Sequence, residues 1–172
     1  MRKYLGLAGL CLGLVLMTPS VAQSQDLNWW SCTWKGTWGE KGNAATAPIT
    51  LTGYMFAADG GWVIRANSQD SYGPSRIRAG CGEGDCYMDQ KYTSGDLKDK
   101  VYHFALKSKD GPFKNGVKTI TYQGTWGETE EPAEHPGTMA FTGTCKPVPG
   151  ANDENFGALM KKSLGWDPYG GE

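Results

Sequence analysis

Two histidines are all the imidazole chemistry this 172-residue chain can offer. His103 falls opposite Phe104 in an alternating segment, and His135 lies between Glu134 and Pro136 in an acidic stretch. Either could form an acid–base pair with a carboxylate if the fold brings the two within hydrogen-bond reach. The plainer reading is surface or internally satisfied histidines. Glu128, Glu130, Glu131 and Glu134 form a charge run that reads as a solvated loop, since no calcium-loop spacing is present. Asp85 and Asp89 flank Cys86 and read as turn residues. No serine sits in a Gly-x-Ser-x-Gly elbow, and no glycine-rich phosphate loop follows a strand. The sequence therefore assigns no catalytic residue, no metal ligand and no cofactor.

Aromatic rings are the more distinctive chemistry. The chain holds 7 tryptophans and 8 tyrosines, more than a domain of this size needs for packing. Rings with polar handles line cores, sugar sites and protein interfaces alike. Thr33-Trp34-Lys35-Gly36-Thr37-Trp38-Gly39-Glu40 recurs 88 residues later as Thr121-Tyr122-Gln123-Gly124-Thr125-Trp126-Gly127-Glu128, with 6 of 8 positions identical. In each copy an aromatic, a glycine and a tryptophan share one strand face. A glycine there marks the close approach of a backbone or a large ring. The repeat supplies either two plugs at the ends of a β core or two aromatic walls of one ligand cavity. The candidate ligand-binding residues are Trp29, Trp34, Trp38, Tyr122 and Trp126. Trp29 is the ring expected on the polar face of its strand, exposed for function.

These rings need strands to carry them, and the alternation supplies strands. Residues 28–38 put Trp30, Cys32, Trp34, Gly36 and Trp38 on one face. Further strands are expected at 49–56, 62–66, 76–79, 86–93, 100–108, 117–128 and 138–146, with turns at 40–43, 59–61, 94–96, 110–112 and 115–116. Residues 67–78 are polar, contain Gly73-Pro74, and are expected to be mostly loop. Residues 128–136 are expected to be an acidic loop. The tail changes period. Phe156, Leu159, Met160 and Ser163 or Leu164 fall at helical spacing, with Asn152-Asp153 as the expected N-cap and Gly165 as the C-cap.

Of 5 cysteines, Cys11 sits in an apolar leader and the other four read as two disulfides. Cys81–Cys86 would close a short glycine-containing loop. Cys32–Cys145 would tie the first strand to the last, whose inward faces each carry one cysteine. A thiolate metal site lacks the required spacing. The fold class is all-β: an antiparallel barrel or sandwich of about seven to eight strands with a short C-terminal helix. A closed barrel is preferred because closure removes exposed strand edges.

The chain opens with Arg2-Lys3, an apolar run from Leu5 to Met17, and small residues up to Ala22. Residues 1–22 are therefore expected to be a cleaved signal peptide, 23–150 the β domain, and 151–172 the helix and flexible tail. That assigns the protein to the periplasm or the medium. No later segment is apolar enough to span a membrane. Without Arg2 and Lys3, 15 basic residues face 18 acidic ones, and no basic stripe invites nucleic acid.

Gly36-Thr37-Trp38 on the first strand resembles the opening motif of the calycin group, the lipocalin and avidin barrels. The resemblance implies a barrel whose tryptophan packs across one end and whose cavity takes a small, usually apolar ligand. The second Gly-Thr-Trp departs from the lipocalin pattern. The functional expectation is a small-molecule or glycan binding protein with an aromatic-lined barrel. The first alternative is a protein-binding module, an inhibitor, immunity or virulence accessory, with the 81–86 loop as its contact element. The second is a small barrel enzyme using acid–base residues.

Overall fold

The computed structural model describes residues 29–40, 47–58, 60–108, 119–128 and 135–170, with backbone alone at 40, 119–122, 135, 136 and 138. The expected signal peptide and the turns at 41–43, 110–112 and 115–116 lie outside the described residues. Eight strands follow one another: β1 (Trp29–Glu40), β2 (Ala47–Ala58), β3 (Gly61–Asp70), β4 (Gly73–Gly82), β5 (Asp85–Tyr92), β6 (Val101–Ser108), β7 (Thr119–Gly127) and β8 (His135–Pro147). Each pairs antiparallel with the next, and β8 returns to β1 along eleven residue pairs, from Trp30↔Pro147 to Glu40↔Gly137, closing the barrel.

Alternation decides what goes inside. Cys32 and Trp34 on β1, Ile49, Leu51 and Met55 on β2, Ile77 and Ala79 on β4, Met88 on β5, Phe104 and Leu106 on β6, and Met139 and Phe141 on β8 form one buried cluster. Trp30, Trp38, Trp62, Ile64, Tyr102 and Trp126 are half-buried against it. The middle of the barrel is thus filled by side chains, as an eight-stranded barrel can be. Burying each large aliphatic residue such as Ile49 or Ile77 contributes about 1.5–3 kcal/mol.

The glycines of the repeat hold strands close together. A Cβ at Gly36 would overlap the Ala140 carbonyl on β8, and one at Gly124 would overlap the Ala105 carbonyl on β6. The ring of Trp34 lies over Gly143, where a Cβ would come within 2.6 Å of its Cδ1. Both disulfides form as expected, each across a directly paired cysteine couple: Cys32–Cys145 between β1 and β8, Cys81–Cys86 between β4 and β5. Their Cα separations of 4.1 and 4.0 Å belong to the narrower antiparallel pairing.

The structure corrects the expected loop at 67–78. β3 runs through Asp70 and β4 begins at Gly73, leaving a turn of Ser71 and Tyr72. The polar residues are there because they alternate: Asn67 and Gln69 lie on the outer face, Asn67 against the C-terminal tail, while Ser68, Asp70 and Ser75 are buried. The acidic stretch is also shorter than expected, since His135 and Pro136 already belong to β8. The 81–86 segment is no extended loop. Gly82 pairs with Asp85 around Glu83 and Gly84, both at positive φ, as in a two-residue hairpin.

Helix α1 (Phe156–Leu164) ends at Gly165 in the left-handed conformation, as read from the sequence. Its N-cap is Asn155, without a side-chain cap. Asn152 instead folds the preceding turn, its Oδ1 accepting from the amides of Glu154 and Asn155 at 3.1 and 2.9 Å. Phe156, Met160 and Leu164 are buried, whereas Leu159 faces outward. The helix packs on the outer wall, with Phe156 against the rings of Trp29, Tyr54 and Phe56. The tail continues across β3 and β4. Asn67 donates to the Leu164 carbonyl and accepts from Trp166 Nε1, Arg65 donates to the Pro168 carbonyl, and Arg76 and Arg78 lie over the Trp166 ring at 5.5 and 5.6 Å.

Candidate functional site

One end of the barrel is bounded by the β3–β4 turn, the β5–β6 loop and the ends of β1 and β7. There the two copies of the repeat converge. β1 and β7 flank β8 on either side, so Trp38 and Trp126 emerge at the same end, with ring centroids 5.9 Å apart and nearly perpendicular. Gly137 of β8 leaves room for Trp126, whose Cδ1 would lie 3.3 Å from a Cβ there. The chain of rings continues from Trp38 to Tyr72 at 6.1 Å, from Trp126 to Tyr102 at 5.7 Å, and from Tyr102 to Tyr92 at 6.0 Å. Between them is a cavity of about 160 Å³, lined also by Gln90, Leu97 and Phe104. Leu97 is held over it by a structured loop, in which Asp99 N donates to the Tyr92 carbonyl and Lys100 N to that of Leu97.

The floor is polar. Asp70 is buried, and its Oδ1 accepts from the amides of Tyr72 and Gly73 at 2.8 and 3.2 Å, which shapes the turn carrying Tyr72. Its Oδ2 accepts from Gln90 Nε2 at 2.8 Å and from the Tyr92 hydroxyl at 2.7 Å. Gln90 Nε2 also donates to Ser75 Oγ at 2.9 Å. Among the described residues no Lys, Arg or His lies within ion-pair distance of Asp70. Burial pushes the Tyr92 phenol far above its ordinary range, and its hydrogen bond to Asp70 pushes it further. Burial likewise raises Tyr102, helped by the charge of Glu128 on the rim. Glu128 is itself paired with Lys100 at 3.4 Å.

Of the five rings singled out from sequence, the structure brings Trp38 and Trp126 together at this mouth. Trp34 lies deeper, in the core. Trp29 is elsewhere, outside the barrel and beneath α1, where its polar-face position is explained by the helix it supports. The Tyr122 side chain lies outside the described residues; its backbone sits opposite Met139 on β7. His103 is on the outer surface, its Nδ1 2.8 Å from Oδ1 of Asp89, its cross-strand neighbour. The side chain of His135 lies outside the described residues. Sequence reasoning missed Asp70, Gln90, Tyr92 and Tyr102 as a set. The available signal was Asp70-Ser71-Tyr72-Gly73, with Asp first and Gly fourth as a tight turn prefers, which would have ended one strand and begun the next.

The class of molecule these features define is an eight-stranded up-and-down antiparallel barrel with an aromatic mouth at one end and a helical strap on its wall. Compared with known proteins, the chain matches no family model, no curated protein and no solved structure.

Proposed function

We propose that this chain is an exported, disulfide-stapled barrel that binds a small ligand at its aromatic mouth. The observation that carries the reading is the run of Tyr72, Trp38, Trp126, Tyr102 and Tyr92 around a cavity of about 160 Å³, two of whose lining side chains, Gln90 and Tyr92, are hydrogen-bonded to the Asp70 carboxylate. The buried Asp70 carboxylate is held by four hydrogen bonds from neutral donors, and no cation among the described residues neutralises it. An eight-stranded barrel has room for side chains or for one small ligand. The cavity limits that ligand to roughly one ring or one sugar, since a cavity of about 150 Å³ takes a benzene. The likeness of Gly36-Thr37-Trp38 to the calycin motif agrees with this use of an eight-stranded meander. Two disulfides and the leader at 1–22 favour the periplasm or the medium.

Native mass spectrometry of the protein from its host's exported fraction tests the reading. The expected result is an extra small mass that disappears on denaturation. Trp38→Ala should lose that mass while keeping the fold. Trp34→Ala should instead cost about 3–5 kcal/mol in urea unfolding, because it empties the core. A bare mass for the wild-type protein, together with a Trp38→Ala variant as destabilised as Trp34→Ala, would make the mouth rings mere packing. A protein partner is the second reading, favoured by Tyr87, which is 68% exposed on β5 near the Glu83-Gly84 hairpin. A co-purifying protein in the same experiment would support it.

A further inference from the structure

We propose that the mouth is an aromatic cage for a small quaternary ammonium group, with Asp70 supplying the counter-charge. This rests on the reading of the mouth as a ligand site and names the chemistry that site takes. One lining pair, Phe104 and Trp126, is near parallel at 23° with centroids 6.3 Å apart, and Trp38 meets Tyr72 at 37°; the other walls stand steeply to one another. Trp38 and Trp126 meet at 78°, Trp126 and Tyr102 at 62°, and Tyr102 and Tyr92 at 90°. Successive walls at steep angles enclose a compact, nearly spherical group. Indole and phenol faces attract a cation through their quadrupoles, more strongly when the site is shielded from water.

The polar groups narrow the choice. A sugar needs donors and acceptors aimed into the cavity. Two of the lining's polar groups are already committed, Gln90 Nε2 to Asp70 and Ser75 and the Tyr92 hydroxyl to Asp70. A quaternary ammonium carries no N–H and needs no partner of this kind. Asp70 is buried behind two cavity-lining residues, accepts only from neutral donors, and is paired with no cation among the described residues. Its charge disfavours anions and draws a cation toward the rings.

The experiment is a tryptophan-fluorescence titration of the oxidised full chain at constant ionic strength. Choline and tetramethylammonium are compared with 3,3-dimethylbutan-1-ol, the uncharged carbon isostere of choline, and with indole. Choline should bind at least tenfold more tightly than its isostere. Asp70→Asn should bring that ratio toward one. Tyr72→Ala, at a turn residue that is 55% exposed, should weaken choline several-fold. If isostere or indole binds as tightly as choline, the cage proposal falls while the ligand-binding mouth stands. The cage falls in the same way if Asp70→Asn and Tyr72→Ala both leave choline affinity unchanged. If none of the four probes binds, the cage proposal falls, and the native mass spectrum decides the ligand-binding reading by itself.

Discussion

Tyr92 and Asp70 show how one contact can set both the chemistry and the pH response of the mouth. Folded Tyr92 keeps its proton to a higher pH than in the unfolded chain, where a phenol ionises near 10.0. Above that pH the unfolded state binds fewer protons than the folded one, so stability is full below about pH 10 and falls as pH rises. Tyr102 and Tyr169, both raised chiefly by burial, add to the same fall. Tyr92→Phe should therefore flatten the decline in urea-unfolding free energy between about pH 9 and 11, while lowering stability near pH 8 by about 1–3 kcal/mol for the lost partner of a buried carboxylate. An unchanged alkaline slope would mean that Tyr92 is not shielded as the fold indicates. At this scale the sequence was half legible. The repeat exposed Trp38 and Trp126, because identical spacing on two strands leaves a visible pattern. Asp70 and Gln90 left none, because a buried polar residue is marked only by the partners that satisfy it, and those lie on other strands.

Among the elements, β1 was readable from alternation alone, down to which face carried its tryptophans and cysteine. β3 and β4 were not. Their mouth-side halves carry polar residues on both faces, Asn67, Gln69 and Arg76 outward and Ser68, Asp70 and Ser75 inward, so the apolar period vanishes although the strands continue. The helix was readable from its spacing and from Gly165, but its docking place was not. That place emerged from Trp29, Tyr54 and Phe56, three outward-facing rings that make sense only once Phe156 covers them. Phe156→Ala removes the side chain on which all three converge. It should cost about 3–5 kcal/mol or release the strap outright. Limited trypsin digestion distinguishes the wild type, resistant at Lys161 and Lys162, from a variant cut there with its barrel intact. A strap as resistant as the wild type would show that the tail's hydrogen bonds with Arg65 and Asn67, and that of Arg78 to the Gly170 carbonyl, hold it without the helix.

For the whole molecule, the two ends of the barrel are built differently. Both disulfides lie toward the end opposite the mouth, near the start of β1, the end of β8 and the β4–β5 hairpin. In the chain-entropy model, Cys32–Cys145, with a sequence separation of 113, contributes about 5 kcal/mol, and Cys81–Cys86, with a separation of 5, about 2 kcal/mol. Replacing the first pair by alanines should thus cost markedly more in urea unfolding than replacing the second. Equal losses would show that strand pairing, and not the length of the tethered chain, sets their worth. The return of β8 to β1 has a further consequence, for the order of events in folding. Seven of the eight strand pairings join neighbours in sequence and can zip locally, but the eighth must bring together residues about a hundred positions apart, from Glu40↔Gly137 to Trp30↔Pro147. Non-local pairing is slow, because chain entropy is lost before contacts are gained. Trp38 waits on β1 for that last pairing, so the mouth comes into being only when the barrel shuts, and any ligand it holds reports on a finished molecule.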